Sequence, residues 1–98
     1  MTRKKVCIQG LGFVGFAMSV AVANSKDPIT NLPLYDVVGI DLPNKDGNQK
    51  VSKINSGKFP ISCNDNELKN AYLNCLKHGN LKGSTNIEEF NSAEVVII

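Results

Sequence analysis

An α/β fold is predicted for this chain, a parallel sheet of about four strands with flanking helices, from three observations. Short runs rich in β-branched residues recur along the sequence: KKVCIQ, YDVVGID, LKGST and AEVVII. Stretches with helical spacing or helix-ending signals lie between them, and strands that alternate with helices imply parallel pairing through right-handed crossovers. Three closely spaced glycines mark the passage from the first strand to the first helix.

The elements follow in order. KKVCIQ is a strand, and FVGFAMSVAVA, apolar almost all round, is a helix buried on most sides. Residues 24–34, NSKDPITNLPL, are rich in Asn, Pro and Ser or Thr and form a surface loop. YDVVGID is the second strand, PNKDGNQ is polar turn material, and KVSKINSG is a short helix stopped by Gly57. After the KFPIS connection, Asn64 or Asp65 caps the helix NELKNAYLNCLKH. That helix gathers Leu68, Ala71, Tyr72, Cys75 and Leu76 on one face and ends at Gly79. LKGST is a third strand, IEEFNSA a brief helical turn, and AEVVII a last strand of the type buried on both faces. Because the chain stops inside that strand, it is expected to be a piece of a larger protein.

Composition narrows the function classes. The 98 residues are enough for one small domain, and 42% hydrophobic with 20% charged residues is ordinary for a globular chain. A net charge of +2 is too small to argue for a nucleic-acid or membrane-surface partner, and no other apolar run approaches spanning length. Cys7, Cys63 and Cys75 are odd in number and form no C-x-x-C pair, which argues against a disulfide framework or zinc site and fits a reducing, cytoplasmic setting. His78, the single histidine, reads as a solvated helix-end residue.

The glycines spell G-x-G-x-x-G: Gly10, Gly12 and Gly15, with Phe13 and Val14 between the last two. After a strand and at the head of a helix, this spacing is the dinucleotide-binding fingerprint of a Rossmann-like, doubly wound domain. Gly10 permits the tight turn, Gly12 lets a pyrophosphate approach the backbone, and Gly15 allows close helix-strand packing. The amides around Phe13 and Val14 then face the phosphates at the positive end of the helix dipole. The fingerprint expects an acid about 20 residues on, at the end of the second strand, to bind ribose hydroxyls. Asp41 fills that place at a longer spacing, which the loop 24–34 absorbs. An Asp there favours NAD over NADP, although Lys45 and Lys50 nearby leave NADP open. The opening also carries signal-peptide marks: Arg3, Lys4 and Lys5, an apolar run, and Ala21-Val22-Ala23. That alternative treats the glycine spacing and the acid as accidents.

At these residues the chain resembles the UDP-glucose/GDP-mannose dehydrogenase family in its N-terminal NAD-binding domain. GLGFVG is similar to the family's G-x-G-[YF]-V-G, VVGID with KVSKINSGKFPI to its acid-ended strand and K-V-x-x-I-N-x-G-x-x-P-I stretch, and LKGSTNIEEFNSAEVVII to its later strand-helix-strand segment. SCNDNEL departs from the Y-E-P-G-L-like stretch of many members. The resemblance implies that Gly10, Gly12, Phe13, Val14 and Gly15 line the pyrophosphate and that Asp41 takes the adenosine ribose. It implies that Lys50 reaches the same ribose, across four extra residues within PNKDGNQ, and that Thr85 lies near the cofactor.

Members oxidise the C6 alcohol of a nucleotide sugar to a carboxylate in two NAD-dependent steps through a cysteine nucleophile, and they commonly dimerise. By this likeness, residues 1–98 are the N-terminal part of the dinucleotide-binding domain, the full-length protein is a homo-oligomer acting on a nucleotide-sugar substrate, and the catalytic and substrate domains lie outside the chain. The chain alone is then expected to bind NAD at most. Two other readings share the G-x-G-x-x-G turn: a nucleotide-sensing regulatory module, and a dehydrogenase of the 6-phosphogluconate or hydroxyisobutyrate type.

Overall fold

The computed structural model describes residues 3–60 and 65–98. Eight elements follow one another: β1 (Lys4–Gln9), α1 (Phe13–Ala23), β2 (Tyr35–Ile40), α2 (Lys45–Asn55), α3 (Asn66–His78), β3 (Leu81–Ser84), a 3-10 helix (Ile87–Ser92) and β4 (Val95–Ile97). The sheet is parallel throughout, in the order β3-β2-β1-β4. β1, the first strand made, is therefore central and paired on both edges. Its register sets Val6 beside Val37 on one side and Val95 on the other. Cutting the chain after Ala23, as the signal-peptide reading requires, would remove this central strand.

Alternation along the strands divides the side chains between two faces. Val6 and Ile8 of β1, Val37 of β2 and Leu81 of β3 join the main core. Against them α1 presents Phe16, Ser19, Val20 and Ala23, a stripe at helical spacing. Phe16 meets the rings of Phe59 and Tyr72 edge-on or tilted, at centroid distances of 5.4 Å each. The Tyr72 hydroxyl donates to the Ile54 carbonyl at 2.9 Å and so ties α3 to the end of α2. The opposite sheet face buries Cys7, Val38 and Ile40 beneath Phe90 and Ala93, from the 3-10 helix and its end. Glu89 pins that short helix to the sheet by pairing with Lys5 at 2.8 Å and Lys82 at 3.1 Å. The hydrogen bond from Lys5, then that from Lys82, hold the Glu89 carboxyl below its ordinary range.

The structure departs from the sequence expectations in three places. PNKDGNQ is not all turn, because α2 already begins at Lys45. Asn44 caps it by accepting from the Gly47 amide at 2.8 Å, and Asp46 supplies first-turn negative charge. Gly47 is required inside this helix, since a Cβ there would lie 1.9 Å from the Leu42 carbonyl oxygen. α1 is not buried on most sides: Phe13, Val14 and Met18 are exposed, because among the described residues only one of its faces meets the sheet and α3. Among the described residues β4 pairs with β1 alone, and Val95 and Val96 are nearly half exposed there. The third strand ends at Ser84, one residue before Thr85. The remaining elements lie as read, including Asp65 as the cap of α3, accepting from the Leu68 amide, and Gly79 as its left-handed stop. Asn64, the other cap candidate, and Cys63 fall outside the described residues. The loop 24–34 is a folded-back finger, with a bridge between Lys26 and Pro33 and Asp27 Oδ1 accepting from the amides of Ile29 and Thr30.

β3 is an edge strand, and α2 closes part of that edge. The Asn55 side chain donates to the Gly83 carbonyl at 3.0 Å and accepts from the Gly83 amide at 2.8 Å. Asn55→Ala is expected to cost about 1–2 kcal/mol, two neutral hydrogen bonds partly recovered by water. Urea denaturation should show a lower midpoint at unchanged slope.

Candidate functional site

The glycine turn sits where β1 ends. Gly10 takes a φ of 93°, a region side chains avoid, and its amide donates to the Ile40 carbonyl at 2.7 Å. The turn is thereby bound to the end of β2. Gly12 is the N-cap residue of α1 in an extended conformation. Among the described residues no side chain caps this helix, and no acid lies in its first turn. The leading amides thus meet no side-chain acceptor, at the positive end of the dipole. Phe13 and Val14 are more than half exposed beside them. A Cβ on Gly12 would find nothing within 4 Å, whereas a Cβ on Gly15 would lie 1.9 Å from the Gly10 carbonyl oxygen. The two glycines therefore do different things. One leaves open space in front of the amides, and the other lets the helix touch the strand. This geometry fits a diphosphate, and with it the pyrophosphate of NAD.

Asp41 follows the last residue of β2. Its Oδ2 accepts from the Leu11 amide at 3.1 Å and its Oδ1 from the Leu42 amide at 2.7 Å. The side chain is 16% exposed, and two carboxylate oxygens offer about four acceptor sites in all, so capacity remains for sugar hydroxyls. Lys50 comes to the same place. Its Nζ lies 4.0 Å from Asp41 Oδ2 and 3.0 Å from Asp46 Oδ2. The extra residues before it are taken up by the cap and first turn of α2, which return Lys50 to the strand end. Its ammonium is held above the ordinary lysine range, chiefly by the Asp46 hydrogen bond. Thr85 is half-buried just past β3, and β2 stands between that strand and the glycine turn. Among the described residues no hydrogen bond joins Thr85 to Asp41 or the turn.

Sequence reasoning missed the wall of the site. A cleft of about 440 Å³ opens at the carboxyl ends of β1 and β2, bounded by Gly10 and Asp41 and by the apolar Leu42, Pro43, Ile87 and Phe90. Leu42-Pro43 directly after the acid was the available signal. Ile87 and Phe90 arrive from the 3-10 helix, and only the strand order reveals that approach. The order 3-2-1-4 makes the boundary between β1 and β4 the topological switch point, where open α/β sheets bind ligands.

The described cysteines are structural. Cys7 donates through Sγ to the Glu89 carbonyl at 3.4 Å, and burial raises its pKa. Cys75, buried against α1, is pushed up to about 11 by desolvation. Neither is an available thiolate near neutral pH. His78 is half-buried in the last turn of α3. Among the described residues no group of His, Cys, Asp or Glu is placed to hold a metal ion. No helix among them is long and apolar enough to cross a membrane.

The family model for the UDP-glucose/GDP-mannose dehydrogenase family, NAD binding domain, matches residues 4–98. No match is found among curated proteins. Among solved structures, the chain is similar to an NDP-N-acetyl-D-galactosaminuronic acid dehydrogenase from Methanosarcina mazei Go1, with TM-score 0.81 and 21% identity, covering 96% of this chain and 18% of that one. It is similar to a UDP-D-ManNAc dehydrogenase from Pyrococcus horikoshii, with TM-score 0.69 and 26% identity, covering 94% and 19%. It is also similar to a GDP-mannose dehydrogenase from Pseudomonas aeruginosa solved as a ternary complex, with TM-score 0.68 and 24% identity, covering 93% and 18%. The chain thus spans less than a fifth of the length of these structures.

Proposed function

The chain belongs to the UDP-glucose/GDP-mannose dehydrogenase family through that family's NAD-binding domain, and on this premise we propose that the full-length protein oxidises the C6 alcohol of a UDP- or GDP-sugar to a carboxylate, with NAD as hydride acceptor. The observation that carries the reading is the braced turn: an uncapped helix start beside open space at Gly12, with the Asp41 carboxylate bonded to the turn itself.

In this reading the amides of Phe13 and Val14 hold the diphosphate, with Gly10, Gly12 and Gly15 shaping the space. Asp41 accepts from the adenosine ribose hydroxyls, and Lys50 holds the local charge. Thr85 flanks the adenosine end from just past β3. Leu42, Pro43, Ile87 and Phe90 form the apolar walls for the base. Bound NAD supplies the acceptor for hydride, and the chain's part is to fix where the dinucleotide lies. The nucleophile and the sugar-binding groups belong to the parts of the protein outside these residues, and the 98 residues alone bind cofactor without turning substrate over. The free thiols of Cys7 and Cys75 agree with work in the cytoplasm, and the full-length protein is taken to be a homo-oligomer.

The test is stoichiometric. Converting an alcohol to a carboxylate removes four electrons, so each nucleotide sugar should consume one water and yield two NADH. Absorbance of NADH together with mass analysis of the sugar would show it. No NADH from any UDP- or GDP-sugar would overturn the assignment.

A further inference from the structure

Asp41, Asp46 and Lys50 form a chain of charges at the edge of the ribose site. The ammonium of Lys50 stands closer to Asp46, at 3.0 Å, than to Asp41, at 4.0 Å. Asp46 and Lys50 are four apart on α2, with the acid nearer the helix start, the favoured orientation for such a pair. Asp46 lies in the first turn, where the helix dipole also favours its charge. Its side chain is 75% exposed, while those of Asp41 and Lys50 are mostly covered. The outermost charge of the trio is therefore negative, and the cation behind it is already engaged.

The cofactor NADP differs from NAD by a phosphate on the adenosine ribose, and a protein that accepts it needs a free cation there. Lys50 is the cation beside Asp41, and Lys45, exposed at the head of α2, is the other nearby. Resting on the NAD-binding reading, we propose that Asp46 is a specificity-determining residue: by engaging Lys50 it withholds that cation from a ribose phosphate, so that the site favours NAD over NADP. Asp46 needs no contact with NAD to do this.

The experiment measures dissociation constants for NAD+ and NADP+ by calorimetry on the full-length protein, its Asp46→Asn and Asp46→Glu variants, and the double variant Asp46→Asn with Lys50→Met. Releasing the Lys50 ammonium from Asp46 to face a doubly charged phosphate, at low salt, should improve NADP+ affinity relative to NAD+ by about five- to tenfold. The gain should shrink as salt is raised. Asp46→Glu should keep the original preference, and Lys50→Met should remove most of the gain in the double variant. An unchanged ratio in Asp46→Asn overturns the proposal, and so does a gain that persists without Lys50. A purely structural role for Asp46 would lower the melting temperature without moving the ratio. If the unsubstituted protein fails to bind NAD+, both this inference and the cofactor assignment fall, whereas normal NAD+ binding with an unmoved ratio defeats the inference alone.

Discussion

Valine in place of Gly12 is expected to leave the domain folded and to weaken NAD binding by about 100-fold. Gly12 has φ −67° and ψ −171°, values that any residue adopts, and a Cβ there meets no atom within 4 Å. Folding therefore loses little, within about 1 kcal/mol for a changed N-cap. The new side chain instead occupies the space through which a diphosphate must reach the first amides of α1. Displacing the phosphates from two such donors forfeits about 3 kcal/mol, at 1.5 kcal/mol or more for each hydrogen bond to a charged group. Calorimetry would give the affinity, and circular dichroism would confirm that the fold survives. Unchanged affinity would show that the dinucleotide does not cross this turn.

The opposite outcome is expected three residues on. Gly15→Ala should destabilise the protein by about 3 kcal/mol or more, as overpacking against rigid backbone does. The sign is informative because helix propensity alone predicts the reverse, a gain of about 1 kcal/mol for Ala over Gly. A Cβ 1.9 Å from the Gly10 carbonyl oxygen cannot be relieved by a rotamer change, so α1 must draw back from β1. At this size such a loss lowers the melting temperature by roughly 10 °C or more. A melting temperature equal to or above that of the parent would refute the packing role. One motif thus holds two kinds of glycine, separable by whether binding or folding fails.

What was legible in the sequence was local. The first strand, the glycine turn, the stop at Gly79 and the Asp65 cap each rest on interactions within a few residues, so spacing and residue type suffice. The start of α2 was misread because Asn44, Asp46 and Gly47 sit among letters that also spell a turn. What decides for helix is the cap onto the Gly47 amide and the fit of that glycine under the Leu42 carbonyl. The place of β4 beside β1 depended on strand order, which no local pattern carries. The apolar walls from Ile87 and Phe90 were hidden for the same reason. Lys50 was picked out by resemblance, and its distance from Asp41 became understandable only once the helix was seen to start early.

The bond from the Leu11 amide to Asp41 has a consequence for how mutational data on this protein should be read. In the proposed reading the carboxylate offered to the sugar is also a strut under the glycine loop, so the two halves of an adenosine diphosphate would be gripped by parts that are not mechanically independent. Energies from substitutions at Asp41 and at the glycines will not sum. A deficit measured at the acid will report slackening of the loop as well as the lost hydroxyl contact, and only a double-mutant cycle will separate them.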